Sequence, residues 1–197
     1  MDQNKKTRVV AVIGPIAAGK DALADYLVQQ YQAMAVEVGA FARQLTRDAA
    51  QNKPYLQYDV SAKSLAGREP GYIIRRLVAE MTETGEPQTD ALVITGVRTP
   101  AEAAALKDHF GPDLLLTYVK GGGPKQRYER VEKRDFATDP DDFAAFVQHD
   151  EQMKSENALE ETIKLADVTL WNDRTLKAFY QQIETHIVPH LFPEKQQ

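Results

Sequence analysis

The stretch VVAVIGPIAAGKDALADYL, residues 9–27, joins a β-branched apolar run, a glycine-rich turn, a lysine and a helical pattern. The apolar run at 9–13 is typical of a strand that is buried on both faces of a parallel sheet. The turn after it, GPIAAGK at 14–20, fits the G-x-x-x-x-G-K pattern whose backbone N–H groups cradle phosphate. Because the pattern follows a strand and opens a helix, it predicts a phosphate-binding P-loop rather than an ordinary tight turn.

Each part of this loop has an expected role in holding a nucleotide. Gly14 and Gly19 permit a backbone conformation and a close approach that a side chain would block. Lys20 neutralises charge on the β- and γ-phosphates at the positive end of the helix. The predicted nucleotide-binding residues of this segment are Gly14, Pro15, Ala17, Ala18, Gly19, Lys20 and Asp21.

Asp21 stands where the P-loop pattern has Ser or Thr, whose hydroxyl holds Mg²⁺. A carboxylate is also a good oxygen ligand for Mg²⁺, directly or through water, so Asp21 is a candidate metal ligand. The alternative is that its charge only stabilises the positive N-terminus of the helix. Both interpretations stay open at this point.

The composition argues against several classes of protein. The chain has 197 residues, of which 43% are apolar and 27% charged, as in a globular domain. A net charge of −5 argues against a general nucleic-acid or anionic-membrane binder, and the absence of cysteine excludes disulfides and thiolate chemistry. No apolar run approaches the roughly 20 residues of a membrane span, and no signal peptide is visible. We therefore expect a cytoplasmic protein.

Strand and helix patterns alternate along the rest of the chain. The sequence TPAE at 99–102 predicts a helix that starts with a capping box. The alternation predicts an α/β, three-layer P-loop fold, with a five-stranded parallel sheet, helices on both faces and a small helical lid. Ligands of such a sheet gather at the carboxyl ends of its strands. The later strands are predicted at 35–38, 91–95, 113–119 and 166–171.

A basic segment after the fourth predicted strand suggests the lid. Glycines at 121–123 make a hinge, and the following helix carries Arg127, Arg130 and Arg134 on one face. A mobile basic helix here would close over polyphosphate, exclude water and stabilise the transferred phosphoryl group. The alternative is a solvated helix that pairs with its own glutamates. We expect a single domain with its core at 7–119 and 160–190, an acceptor-binding insertion at 39–89 and the lid at 120–142.

Two more arginines are placed where an anionic acceptor could bind. Arg98 follows the third predicted strand at the carboxyl edge of the sheet, and Arg43 follows the second strand. Arginine suits bidentate recognition of phosphate, although either residue could instead be an ordinary surface arginine.

The order of GPIAAGKD, VGAFAR, ITGVRTPAE, QRYERVEKR and ADVTLWND resembles the nucleoside monophosphate kinase group of P-loop kinases. Its adenylate-kinase-like and dephospho-CoA-kinase-like members are the most similar. The resemblance implies transfer of the γ-phosphate of ATP, with Mg²⁺, to a small phosphorylated acceptor, above all a (deoxy)nucleoside monophosphate. The residues it implies are catalytic Lys20, Arg98, Arg127 and Arg134, acceptor-binding Arg43 and Arg98, and Asn172 near the adenine.

The sequence departs from this group at Thr95, where relatives often have Asp before Gly-Val-Arg. The missing carboxylate leaves no evident general base for a hydroxyl acceptor, and Asp21 is a candidate to compensate for it. An acceptor phosphate is already ionised and needs no base, which favours it over the dephospho-CoA-kinase-like alternative of hydroxyl phosphorylation. A non-catalytic ATP-binding regulatory module is the other alternative, against which the lid arginines argue.

Overall fold

The computed structural model describes residues 7–52, 70–83, 89–134 and 140–196. The strands are β1 (Arg8–Ile13), β2 (Met34–Glu37), β3 (Ala91–Val97), β4 (Leu114–Lys120) and β5 (Val168–Trp171). The α-helices are α1 (Lys20–Tyr31), α2 (Val38–Asn52), α3 (Tyr72–Glu83), α4 (Pro100–Phe110), α5 (Pro124–Arg134), α6 (Phe143–Glu156), α7 (Leu159–Ile163), α8 (Leu176–His186) and α9 (Val188–Leu191).

The strands form one parallel sheet in the order β2-β3-β1-β4-β5. The central strand is β1, whose residues 9–13 are completely buried, as the β-branched run predicts. The predicted three-layer fold with a five-stranded parallel sheet is confirmed. Because the P-loop follows the central strand, the ends of strands on both sides surround it.

Helices cover both faces of the sheet, and the side chains of β1 alternate between them. Val9, Ala11 and Ile13 pack in the core under α2, α3, α4 and α7. Val10 and Val12 pack in the core under α1, α8 and α9. This period of two follows from the pleat of the strand and explains why the run had to be apolar at every position.

A bulge at the end of β3 helps to shape the carboxyl edge of the sheet. The register between β1 and β3 shifts between Val12 and Ile13, opposite Gly96, whose φ is 83°. A bulge of this kind bends its strand and redirects the residues that follow. Arg98 leaves the sheet just after it and reaches the neighbourhood of Gly39 at the start of α2.

Some local predictions are confirmed and others are wrong. The capping box of α4 is present, because Thr99 Oγ1 accepts from the N–H of Glu102 at 3.2 Å and the Glu102 carboxylate accepts from the N–H of Thr99 at 3.1 Å. The sequence predicts that the last long helix opens at Asn172 and Asp173, but in the structure α8 begins at Leu176 and is capped by Thr175. The sequence also predicts a helix cap at 139–140, but Asp139 lies outside the described residues; in the structure Asp142 caps α6.

Parts of the predicted domain organisation also lie outside the described residues. The expected acceptor-binding insertion includes 53–69 and 84–88, and the expected lid includes 135–139, none of which the structure describes. The division into core, insertion and lid therefore stays a prediction. Among the described helices, we find no segment with the length and apolar character needed to cross a bilayer.

Candidate active site

The P-loop, residues 14–20, turns sharply between β1 and α1. Ala17 and Gly19 have positive φ values of 56° and 108°. A Cβ on Gly14 would lie 2.8 Å from the carbonyl oxygen of Val119, and one on Gly19 would overlap the side-chain amide of Asn172. The close approach at the first glycine and the left-handed backbone at the second explain why the loop requires both.

Side chains donate hydrogen bonds to successive carbonyl groups of this loop. Lys20 Nζ donates to the carbonyl oxygens of Gly14 at 3.0 Å and Pro15 at 2.7 Å. The next three bonds run from Arg127 to Ile16 (2.9 Å), from Arg130 to Ala17 (3.0 Å) and from Asn172 to Ala18 (2.9 Å). Each carbonyl from 14 to 18 thus has a donor, which fixes the loop and reduces its repulsion toward a bound polyphosphate.

Lys20 lies in a strongly cationic environment. Burial lowers its pKa to about 8, and Asp21 opposes this effect while Arg98, Arg134 and Arg127 add to it. A buried cation among other cations favours the arrival of a polyanion, because the phosphates would stabilise the ammonium form. The convergence of these charges therefore indicates an anion site.

We expect ATP to bind with uptake of a proton at Lys20. Near pH 8.5 part of the Lys20 population is neutral in the free protein, since its pKa is about 8, and bound phosphate would raise that pKa again. Calorimetric titrations at about pH 8.5 in buffers of different ionisation enthalpy should give different apparent enthalpies. At about pH 6.5 Lys20 is already protonated in the free protein, so its protonation should add no difference between the apparent enthalpies in different buffers.

Lys20→Arg is the control, because arginine keeps its charge at both pH values and the variant should show no buffer dependence. Equal apparent enthalpies in all buffers for the unmodified chain at about pH 8.5 would contradict the expectation.

A cleft of about 890 Å³ opens beside the P-loop, at the carboxyl edge of the sheet. It brings together residues that are far apart in the sequence and that were predicted to act together. The predicted residues that line it are Gly14, Pro15, Ala17, Lys20, Asp21, Arg43, Arg98 and Arg134. Four other predicted residues do not line it: Ala18, Arg127 and Asn172 are buried, and Gly19 is half-buried.

Three charged side chains converge at the start of α2. The carboxylate of Glu37 pairs with Arg43 at 3.1 Å. A Cβ on Gly39 would lie 2.7 Å from Glu37 Oε1, 3.3 Å from Arg43 Nη1 and 3.5 Å from Arg98 Nη2. The glycine therefore lets both arginines and the carboxylate share one small volume, which suits an acceptor with an anionic group.

Sequence reasoning missed Glu37. The second strand was predicted at 35–38, which placed this residue inside the strand. In the structure β2 ends at Glu37, and the side chain lines the cleft. The available signal was a carboxylate at the end of a strand in a parallel sheet, where ligands gather.

Asp21 is exposed in the first turn of α1 and lines the same cleft, as does the buried Thr95 on β3. Within the described parts of the chain, no three His, Asp or Glu side chains are grouped so that they could hold a metal ion by themselves. An Mg²⁺ ion here would take one carboxylate, from Asp21, and complete its shell with phosphate oxygens and water. That donor set suits Mg²⁺. The role of Asp21 as a metal ligand stays a prediction.

Arg127, which is predicted as a lid arginine that acts on the phosphates, is buried in the structure. Its side chain is 2% exposed, and its guanidinium donates two hydrogen bonds to Asp150, at 2.6 and 2.5 Å. The charged segment His149–Glu151 predicts a solvated helix face, and this prediction is wrong for Asp150, which is buried. In the structure Arg127 supports the P-loop from behind, and its direct contact with a phosphate stays a prediction.

The predicted lid helix α5 is docked against the P-loop. Arg130 donates to the carbonyl oxygens of Ala17, Gly121 and Asn172, at 3.0, 2.8 and 2.5 Å. A Cβ on Gly121 would overlap the backbone of Ala18, so one of the expected hinge glycines is required by a close contact. At the other end of the helix, Arg134 lines the cleft.

Asn172 was predicted to lie near the adenine. Its side chain is 7% exposed and donates to the P-loop carbonyl of Ala18, so it supports the loop. Trp171 is 48% exposed beside it, and the Lys120 ammonium lies 4.1 Å from the indole centroid. A contact between this segment and a nucleotide base stays a prediction.

Comparison with known sequences finds relatives that are described as UPF0200 proteins, and no family model matches. The chain is 31% identical over 101 residues to one from Methanopyrus kandleri, which covers 51% of each chain. It is 32% identical over 108 residues to one from Thermococcus sibiricus, which covers 54% of each. The chain thus spans about half the length of these curated relatives. A more distant one, from Methanococcus maripaludis, is 25% identical over 179 residues, 90% of this chain and 94% of that one.

Comparison with solved structures finds kinases. A shikimate kinase from Acinetobacter baumannii in complex with shikimate has a TM-score of 0.59 at 11% identity, over 93% of this chain and 94% of that one. A sugar kinase from Janibacter sp. has a TM-score of 0.58 at 17% identity, over 94% of this chain and 98% of that one. The chain has the fold of the P-loop kinases. A gluconokinase from Sinorhizobium meliloti, with a TM-score of 0.52 at 11% identity over 91% of this chain and 90% of that one, is a further example.

Proposed function

We propose that this P-loop kinase-like chain is a phosphotransferase that moves the γ-phosphate of ATP to a small acceptor. The observation that carries the proposal is that one cleft holds both the P-loop with Lys20 and a second group of cations, Arg43 and Arg98. A module that only bound a nucleotide would need the first group but not the second. Two anion sites in one cleft suit a reaction between two phosphorylated molecules.

The residues of the cleft form one group that would bind the donor, ATP, and another that would bind the acceptor. Lys20 would offset charge on the β- and γ-phosphates, and Arg134 would add positive charge from the end of α5. Mg²⁺, when bound, neutralises phosphate charge, and Asp21 would hold it. Arg43 and Arg98 would bind and orient the acceptor.

We propose a (deoxy)nucleoside monophosphate as the acceptor. The two guanidiniums beside Gly39 suit a phosphate dianion, which can accept several charge-assisted hydrogen bonds. The phosphate oxygen that attacks is already ionised, so the absence of a carboxylate at Thr95 does not impede it.

Glu37 supports a second candidate, an acceptor that reacts through a hydroxyl group. This carboxylate lines the cleft beside Arg43 and Arg98, where it could take the proton of an attacking hydroxyl. For such an acceptor it would supply the general base for which the sequence shows no evident candidate. The pairing of Glu37 with Arg43 has another explanation, however, since it can simply orient the arginine toward an acceptor phosphate.

A Glu37→Gln variant separates the two candidates. With a nucleoside monophosphate as acceptor we expect kcat to change by less than about threefold, because no proton has to be removed from an ionised phosphate. With a hydroxyl acceptor kcat should fall by about 100-fold or more. The measurement is coupled ADP release from ATP·Mg²⁺ across nucleoside monophosphates, deoxynucleotides and dephospho-CoA. Glu160→Gln, an exposed change on α7, is the matched control.

The same assay tests the proposal as a whole. Acceptor-dependent ADP release supports a phosphotransferase. Stabilisation of the fold by ATP without ADP release for any acceptor would contradict it and identify the chain as a nucleotide-binding module.

A further inference from the structure

We propose that Asp150 is a positioning residue that acts through Arg127 to fix the conformation of the P-loop. Asp150 lies on α6 and lines the same cleft as the P-loop. The inference rests on the proposed function in one respect, since it assigns Asp150 a part in ATP binding at the P-loop.

The geometry of the pair is that of a rigid fork. Arg127 Nη1 donates to Asp150 Oδ1 at 2.6 Å and Nη2 donates to Asp150 Oδ2 at 2.5 Å. Both side chains are 2% exposed. Two parallel bonds fix the plane of the guanidinium, which a single bond or a lysine would not do.

The same guanidinium also reaches the P-loop. Arg127 Nη1 donates to the carbonyl oxygen of Ile16 at 2.9 Å, so this one nitrogen is shared between Asp150 and the loop. Because Asp150 orients the guanidinium, it also sets the position of Arg127 Nη1, which donates to Ile16. The hydrogen bond to the loop comes from Arg127, and Asp150 acts on the loop by orienting that arginine.

Lys154 completes the environment of the carboxylate. Its Nζ lies 2.7 Å from Asp150 Oδ2 and 2.7 Å from Glu151 Oε1. Burial raises the pKa of Asp150, but hydrogen bonds from Arg127 and Lys154 lower it by more, so the net direction is down. The carboxylate thus stays ionised and keeps its hold on both cations.

A buried ion pair is weak evidence for stability, because the desolvation of two charges offsets their attraction. Apolar residues of similar size often serve a core equally well. The contact with Ile16 is what an apolar pair could not reproduce. This distinguishes a positioning role from a merely structural one.

The test is hydrogen–deuterium exchange of the full chain without nucleotide, followed at the P-loop and at β1. In Asp150→Asn the amide of Ala18, which donates to the carbonyl of Pro15 at 3.3 Å within the P-loop, should exchange about tenfold faster or more, since a freed guanidinium no longer holds the loop, while the amides of β1 stay protected. Glu151→Gln, the neighbouring exposed residue that also contacts Lys154, should behave like the unmodified chain. The affinity for ATP·Mg²⁺ should fall by about tenfold in Asp150→Asn and not in Glu151→Gln.

A paired variant covers the case in which Asp150→Asn leaves an uncompensated buried cation and fails to fold. Arg127→Leu with Asp150→Leu removes both charges and is expected to fold. It should still show fast exchange in the P-loop, because Ile16 has lost its donor. Unchanged P-loop exchange in a folded variant, or a uniform rise that includes β1, would overturn the proposal. If the unmodified chain does not bind ATP, the proposed function fails, and the exchange result still decides the role of Asp150.

Discussion

Replacing Lys20 with methionine should lower kcat/KM for phosphoryl transfer by about 1,000-fold. Lys20 is the cation at the junction of the P-loop and α1, and its ammonium already hydrogen-bonds two carbonyls of the loop. Methionine has similar length and no charge, so the transferred phosphoryl group would lose its nearest fixed positive charge. The loop would also lose the donor for Gly14 and Pro15.

The Lys20 variant should keep the fold. Burial of the Lys20 charge is unfavourable and is the main cause of the lowered pKa of Lys20. Methionine carries no charge, so the substitution removes this unfavourable contribution. Thermal unfolding should therefore show no large loss of stability while activity is lost. Lys177→Met, an exposed change on α8, should leave kcat/KM as it is. Retention of more than about a tenth of the activity in the Lys20 variant would show that the phosphates bind elsewhere.

Replacing Gly19 with alanine should weaken the binding of ATP by about 100-fold. The backbone there has φ of 108°, a conformation that costs a residue with a side chain about 1–3 kcal/mol. The new methyl group would also overlap the amide of Asn172, which would have to leave the carbonyl of Ala18. Both effects act on the loop that holds the phosphates.

Gly123→Ala is the matched control for this change. Gly123 lies at the start of the predicted lid, and a Cβ there would meet no atom within 4 Å. Calorimetric titration with ATP·Mg²⁺ should give nearly the same dissociation constant for this variant as for the unmodified chain. Similar affinities for the Gly19 and Gly123 variants would contradict the strain argument.

The fold and the P-loop could be predicted because their signals are local. The apolar run at 9–13, the spacing of Gly14, Gly19 and Lys20, and the capping box at Thr99 each depend on residues a few positions apart. The alternation of strands and helices then restricts the topology to a parallel sheet with its ligand edge at the P-loop.

The rest of the site depends on tertiary contacts that the sequence does not encode locally. Arg127 was predicted only as a lid arginine, because its buried partner, Asp150, is 23 positions away on another helix. Glu37 looked like part of a strand because its importance arises from where β2 ends relative to Arg43 and Arg98. The prediction that Asn172 lies near the adenine stays open, but its hydrogen bond to the P-loop carbonyl of Ala18 joins residues too far apart in the sequence to be predicted.

The central claim is that the cleft transfers a phosphoryl group from ATP to a bound acceptor. The most direct test is to incubate the chain with [γ-³²P]ATP, Mg²⁺ and each nucleoside monophosphate or deoxynucleotide, and to separate the labelled products. We predict that the label appears in the acceptor and that the Lys20→Met variant gives none. Label that stays in ATP, or that is released only as inorganic phosphate with every acceptor, would contradict the claim.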